Sequence, residues 1–320
     1  MRKVLLFLVM SVAALRCIAA EVYPSRPVHI IVPVAPGGTT DLVARVMAEQ
    51  LAIQTGQSFV VENRTGAGGR IAFEYVARSA PDGYTLLLAE PGFAILPALV
   101  KSLSFDITKD FAPISEIGGS PLVLVVQPSL NVSSLKEFIA LAKANPRKFN
   151  FGSGGVGTAQ HLAMERFKKA ANVDIVHVPY KGASEVMNAM LGGQVQVMIA
   201  GIPTVMAHAN SGRLRILAVC SDGKRSPALP SVPSMEEEGV SSMEVYSWYG
   251  LVAPKGAPPE TIGKLHSEIV KAIGVPSVKE RMFGQAGDMI GNTPAEFSKL
   301  VQDELRRSTE AVKAAGITPE

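Results

Sequence analysis

The sequence predicts an α/β protein with largely parallel sheets in two domains, and three features predict it. Short β-branched runs alternate with helical patterns from Val28 onward. Glycine-rich turns separate several of these strand–helix pairs. A chain of 320 residues, at about 150 residues per domain, suits two domains. Hydrophobic residues make up 47% and charged residues 18%, which supplies a core and excludes a disordered chain.

The first twenty residues read as a secretory signal. Arg2-Lys3 give the charged start, Val4 to Leu15 the apolar run, and Ile18-Ala19-Ala20 the small-residue exit before Glu21. The run is shorter than the ~20 residues a membrane span needs. Cys17 suits a lipoprotein anchor poorly, because Arg16 stands where a small residue belongs. No later stretch reaches transmembrane length, so a soluble, exported protein is expected. The formal net charge is +3, yet Arg2, Lys3 and Arg16 all lie in this leader, which holds no acid. The remainder is balanced, which argues against nucleic acid as a partner.

Strands are expected at 28–34, 59–61, 84–88, 122–126, 149–151, 175–178, 195–199, 214–219 and 249–252. Several are almost wholly apolar, as strands buried on both faces are. Between them run helical stripes: Leu42, Val43, Val46, Met47 and Leu51; Leu135, Phe138, Ile139 and Ala142; Val186, Met187, Met190 and Leu191. A Pro- and Gly-rich loop at 254–259 precedes helices at 262–273, 278–285 and 295–315, read as a helical layer on an existing domain. The run Glu236-Glu237-Glu238 reads as a solvated helix face. With Cys17 in the leader, Cys220 has no intrachain partner, and its apolar surroundings predict a buried, inert thiol.

Three turns carry the functional signal. Pro36-Gly37-Gly38-Thr39-Thr40-Asp41 follows a strand and opens a helix. It is either an anion-facing loop, with helix-start amides turned to a carboxylate or phosphate, or a plain turn with a Thr or Asp cap. Gly152-Ser153-Gly154-Gly155-Val156-Gly157-Thr158 matches G-x-G-x-x-G, with Asp174 near where a ribose-binding acid falls. Its position mid-chain in an exported protein fits a second anion-facing loop, using the Ser153 and Thr158 hydroxyls, better than a dinucleotide site. Asn63-Arg64-Thr65-Gly66-Ala67-Gly68-Gly69-Arg70 is the third. Such loops gather at the carboxyl ends of strands, where doubly wound sheets bind ligands. Catalytic constellations are thin. The five histidines show no metal-ligand spacing, His161 and His177 suit hydrogen-bonded structural roles, and no G-x-S-x-G or H-E-x-x-H occurs.

In this order, and over nearly all of the mature chain, these segments resemble the Bug family of extracytoplasmic solute receptors, the TctC-like components of tripartite tricarboxylate transporters. The resemblance rests on the first two turns, Val61-Glu62-Asn63-Arg64 with Gly66-Ala67-Gly68-Gly69, and Ala80-Pro81-Asp82-Gly83-Tyr84-Thr85-Leu86. It continues through Lys109-Asp110-Phe111-Ala112-Pro113, Gln160-His161-Leu162, His177-Val178-Pro179-Tyr180-Lys181-Gly182 and Leu191-Gly192-Gly193-Gln194-Val195. It implies a type II periplasmic binding protein: two doubly wound α/β domains, two crossover strands and a ligand cleft between them. One domain would comprise residues 21–119 and 250–320, the other 120–249. By position it implies ligand contacts from Ala35, Gly37, Gly38, Thr39 and Asp41 on one side. Ser153, Gly154, Gly155, Thr158, His161, Pro179, Tyr180 and Lys181 would come from the other. No cofactor and no metal is implied, and a monomer serving a permease or a sensor kinase is expected.

Departures from the family pattern bear on the ligand. Where many relatives continue Phe-Asp-Asn, this chain has Ile199-Ala200-Gly201, so a carboxylate that would pair a ligand amine is missing at Ala200. A di- or tricarboxylate, or an aromatic acid, without a free amine is therefore expected, because an unpaired ammonium in a closed cleft costs several kcal/mol. Glu90 would repel an anion if it faces the cleft, Phe93 would supply an apolar wall, and Arg70 either adds a cation or faces solvent. The rival reading is an exported α/β enzyme, a hydrolase or a dinucleotide enzyme.

Overall fold

The computed structural model describes residues 23–284, 286–314 and 319; the expected leader lies outside them. The first strand and helix are β1 (Val28–Val32) and α1 (Thr39–Thr55), followed by β2 (Phe59–Asn63), α2 (Arg70–Ala77), β3 (Thr85–Ala89) and α3 (Pro91–Leu99). A long strand, β4 (Phe111–Val126), leads to α4 (Leu135–Ala144), β5 (Asn150–Ser153), α5 (Ala159–Ala171), β6 (Val176–Pro179) and α6 (Ala183–Leu191). Then come β7 (Val197–Gly201), α7 (Ile202–Asn210), β8 (Arg215–Val219) and β9 (Tyr246–Pro254). The chain closes with α8 (Pro259–Ile273), α9 (Pro276–Met282), β10 (Asp288–Met289) and α10 (Pro294–Ala314). Each of the three C-terminal helices starts on a proline, whose missing N–H costs nothing at a first helical position.

The strands run in the order β2-β1-β3-β9-β4-β7-β5-β6, with β8 and β10 also paired to β4. Neighbours of β1 and β5 are parallel, as the sequence predicts. Around β4 and β9 the pairing is antiparallel, which the sequence reading missed. These two strands are the reason. The early part of β4 pairs with β9, while 122–126 pairs with β7 and β8, so β4 belongs to both halves of the sheet. Only that last stretch is continuously apolar; Ser115, Glu116, Gly118, Gly119, Ser120 and Pro121 hide the rest of the strand from a hydrophobicity reading. The glycines are required there. A Cβ on Gly118 would stand 2.1 Å from the Asp288 carbonyl oxygen, and one on Gly119 2.3 Å from that of Ser247.

Each half buries both faces of its sheet. Ile30 packs with Met47, Leu51 and Ile269 on one side, and its neighbour Ile31 with Phe73, Phe93 and Phe297 on the other. In the second half Leu122, Leu124 and Val126 meet Phe138, Phe151 and Phe167, whereas Val123 and Val125 meet Val186, Met190 and Val205. Burying a large apolar side chain contributes about 1.5–3 kcal/mol, so each half has a core of its own. Cys220 is fully buried in the second, and burial pushes its thiol pKa up. The triple-glutamate run lies in a turn instead of a helix. There Glu237 takes a bidentate bond from Arg225, at 2.8 Å and 3.0 Å.

Candidate functional site

Four helix starts converge on one cavity. Its wall includes Gly38, Thr39 and Thr40 from α1, Ser153, Gly154 and Thr158 ahead of α5, Gly182 and Ala183 at α6, and Ala200, Gly201 and Thr204 at α7. The first amides of a helix have no partner within it and carry partial positive charge. Amides from both halves therefore face the same space, and its described lining holds no Lys or Arg. The cavity measures about 40 Å³, on a scale where one water takes roughly 10–15 Å³. A larger cavity of about 380 Å³ shares Val34, Glu90, Gly154 and Thr158 with it. The larger one continues along the third glycine turn (Gly66, Ala67, Gly68, Gly69, Arg70) to Gly155, Tyr180 and Lys181.

The halves touch across the smaller cavity. Ser184 donates its hydroxyl to the Pro36 carbonyl at 2.9 Å. A Cβ on Gly182 would stand 3.0 Å from the Cβ of Ala35 and 3.3 Å from its backbone nitrogen, and one on Gly201 would be 2.9 Å from Thr39 Oγ1.

The first turn is held by a buried carboxylate. Gly38 is the N-cap of α1 and offers no side chain, so the expected Thr or Asp cap is absent. Asp41 instead accepts the Gly37 amide at 3.0 Å, two bonds from Arg45 at 2.9 and 3.0 Å, and the Asn63 amide group at 2.9 Å. Asn63 also donates to the Val34 carbonyl at 2.9 Å, which ties β2 to the turn. Burial raises the Asp41 pKa, but the bonds from Arg45, Asn63 and Gly37 outweigh it and hold the group below its ordinary value.

The second turn is held without charge. Ser153 Oγ lies 2.7 Å from His177 Nε2, donates to the Gly155 carbonyl at 3.1 Å and accepts the Gly155 amide at 3.2 Å. Its hydroxyl is thus engaged inside its own loop. Thr158 caps α5 by accepting the His161 amide at 3.3 Å, and it donates to the Gly155 carbonyl at 2.9 Å. His161 Nδ1 accepts the Gly157 amide at 3.2 Å, which fixes the proton of the neutral ring on Nε2. The rings of His161 and His177 stack at 4.2 Å, with Phe151 4.6 Å from His177. Burial lowers both histidines, and together with His161 it takes His177 down to about 4. Gly157, at φ +86°, has no room for a side chain: a Cβ would lie 2.6 Å from Leu99.

Of the residues singled out in the sequence, Gly38, Thr39, Glu90, Ser153, Gly154, Thr158, Ala200 and Gly201 line the smaller cavity. Gly155, Tyr180, Lys181 and Arg70 line the larger. Ala35, Gly37, Asp41, His161 and Pro179 are on neither lining. Asp41 and His161 fasten loop amides instead, and Ala35 is where the halves meet. Phe93 is no wall either; it is buried in the first core, edge to face with Phe73 at 5.2 Å and Phe111 at 5.0 Å. The sequence reading missed Thr40, Gly182, Thr204 and Tyr249. Tyr249 lies on crossing strand β9, and burial pushes its phenol up to about 12.

Glu90 does face the cleft. It is the N-cap of α3, and its carboxyl accepts the Gly92 amide at 3.1 Å. Burial pushes its pKa up to about 7 against that single bond. The missing carboxylate at Ala200 therefore does not leave the cavity without an acid.

Two α/β halves joined by two crossing strands, with helix starts meeting at a cleft between them, define the fold of a periplasmic solute-binding protein. The chain belongs to the tripartite tricarboxylate transporter family receptors, whose family model matches residues 43–317. It is 38% identical to Protein BugT of Bordetella pertussis over 301 residues, 93% of this chain and 92% of that one. Its structure matches the periplasmic binding protein BugD with a TM-score of 0.89 at 35% identity, covering 93% of this chain and all of BugD. It also matches R. palustris Rpa4515 with adipate (TM-score 0.88, 36% identity, 93% and 100% covered). MatC (Rpa3494) from Rhodopseudomonas palustris with bound malate matches at TM-score 0.86 and 29% identity, with 91% and 100% covered. Among the described residues no helix is long and apolar enough to cross a membrane.

Proposed function

We propose that this chain is a periplasmic receptor that captures a small organic carboxylate without a free amine, a di- or tricarboxylate or an aromatic acid, and does no chemistry on it. The lobes are residues 21–119 with 250–320, and residues 120–249; the acid is enclosed when they close, and is then delivered to a membrane permease or presented to a sensor. One observation carries the reading: helix starts from both lobes share a single cavity whose described lining has no cation. Amides and hydroxyls hold an anion at little desolvation cost, and bridging waters serve nearly as well as direct bonds. One end of the acid occupies the small cavity and its remainder extends past Glu90 into the larger one. Adipate and malate in the two related structures are acids of this kind.

A thermal-shift screen of the mature chain against a panel of organic acids tests the reading. A cognate acid at a hundredfold excess over Kd adds about 2.7 kcal/mol to stability, a rise of several degrees that grows with concentration. Turnover of the acid on incubation, or a panel without a hit, defeats the proposal.

A further inference from the structure

Glu90 is the only acid on either cavity wall among the described residues, and it sits where the two cavities join. Among the described residues, one carboxyl oxygen accepts the Gly92 amide, the other accepts no hydrogen bond, and no ion pair reaches the group. The groups around it do not neutralise it. Tyr249 on β9 is a phenol whose own ionisation Glu90 opposes. Arg70 on α2 is engaged with Glu74 at 2.8 Å. Lys181, in the turn before α6, is exposed on the lining of the larger cavity with Tyr180. Burial lowers the pKa of His161 on α5, which disfavours a cation there. On α10, Glu304 and Arg307 pair with each other at 2.8 Å beside Pro91, in a separate cavity. A buried carboxylate without a cation cannot share a closed cleft with an anionic ligand while both are ionised, since like charges at contact in a desolvated site drive one of them to hold a proton.

Resting on the carboxylate reading above, we infer that Glu90 makes capture proton-linked: the acid enters with one proton from solvent, shared between the free Glu90 oxygen and a ligand carboxylate oxygen. The reaction balances as receptor carboxylate plus ligand carboxylate plus one proton giving a carboxyl–carboxylate hydrogen bond. It makes Glu90 the specificity-determining residue of the cleft. An acid presenting only acceptors at this point is taken up with its proton, and a ligand placing an ammonium there would instead favour the ionised group. The sign follows from linkage. Burial, against the Gly92 bond, brings the free receptor's Glu90 to about 7, and a bound anion raises it further. Between that value and the higher bound one the complex holds up to one more proton than the free receptor, so affinity falls by up to about tenfold per pH unit.

The test is calorimetry on the mature chain with the strongest binder among adipate, malate, succinate, citrate and benzoate. Titrations run from pH 6 to 8.5, and at pH 8 in both phosphate and Tris. The wild type is expected to lose up to about tenfold in affinity per unit above pH 7, and the two buffers should report uptake of about one proton at pH 8. Glu90→Gln, which mimics the protonated group, should show neither slope nor proton uptake, and Glu90→Asp should restore both. A wild-type affinity that stays level or rises with pH, or a Glu90→Gln slope equal to the wild type's, overturns the inference alone. If no acid of the panel binds even at pH 6, the receptor reading falls and takes this inference with it. The wild-type buffer comparison decides the matter even if the variants fail to fold.

Discussion

The two turns that face each other across the cleft perform one task with different chemistry. Both hold glycine-rich backbone so that helix-start amides look into a shared cavity. The turn before α1 is fastened by a buried ion, Asp41, gathering bonds from Gly37, Arg45 and Asn63. The turn before α5 is fastened by neutral groups, Ser153, Thr158 and the stacked pair His161–His177. The contrast teaches that the charge of a binding site and the charge of its supports are separate matters. Asp41 is neutralised by its partners and lies outside the lining, so it does not oppose an anion. The histidines, their pKa lowered by burial, add no cation, and the lining of the small cavity presents amides, hydroxyls and Glu90.

The strongest way to break this comparison is Asp41→Ala. It removes a buried carboxylate together with its bonds to Gly37, Asn63 and the half-exposed Arg45, which costs about 1.5–3 kcal/mol, as expected when bonds to a charged group are lost. Denaturant unfolding should show that loss, and carboxylate binding should vanish with the turn. Next is Gly182→Ala. Its backbone is extended (φ 170°) and accepts a side chain, but the new methyl meets Ala35 of the other half. Overpacking of this sort costs about 1–3 kcal/mol, and under the proposed domain closure it bears on the closed form. Affinity should drop ten- to a hundredfold while unfolding stays near wild type; equal losses in both would deny that the halves meet only on closure.

Acid titration separates the two supports. A histidine whose folded pKa is depressed contributes stability above its unfolded value of about 6.5, and that stability is lost as pH falls toward about 4. Asp41, held below 3.8, gives way only under more acid conditions. Hydrogen exchange should therefore find the amides of Gly155 and Gly157 loosening between pH 6.5 and 4, while that of Gly37 stays protected. Simultaneous loosening would contradict the assignment of separate supports. The smallest effect is expected from Ser184→Ala, which removes one hydrogen bond between the halves. It should weaken binding by about 1 kcal/mol, or some fivefold.

Much of this was legible in the residues. Apolar runs marked β1, β3 and β7 because those strands are buried on both faces, and glycine turns marked the cleft because only glycine permits such backbone approaches. What stayed hidden depends on contacts distant in sequence. Helix α3 is apolar all round, with Pro97 inside it, so it shows no stripe, and Pro91-Gly92 reads as a turn. The placement of Glu90 and the burial of Phe93 both follow from that helix. The fastening bonds of Asp41 and His161 stayed hidden for a related reason. A polar side chain beside a binding loop looks the same in sequence whether it meets the ligand or fastens the loop, and partners such as Asn63 and His177, far along the chain, decide which.

Small-angle scattering of the mature chain, with and without saturating amounts of the best acid from the panel, tests the claim that the acid is enclosed between two lobes. The account predicts a radius of gyration that contracts on binding in the wild type and contracts less in Gly182→Ala. A wild-type radius that stays the same at full saturation would contradict it.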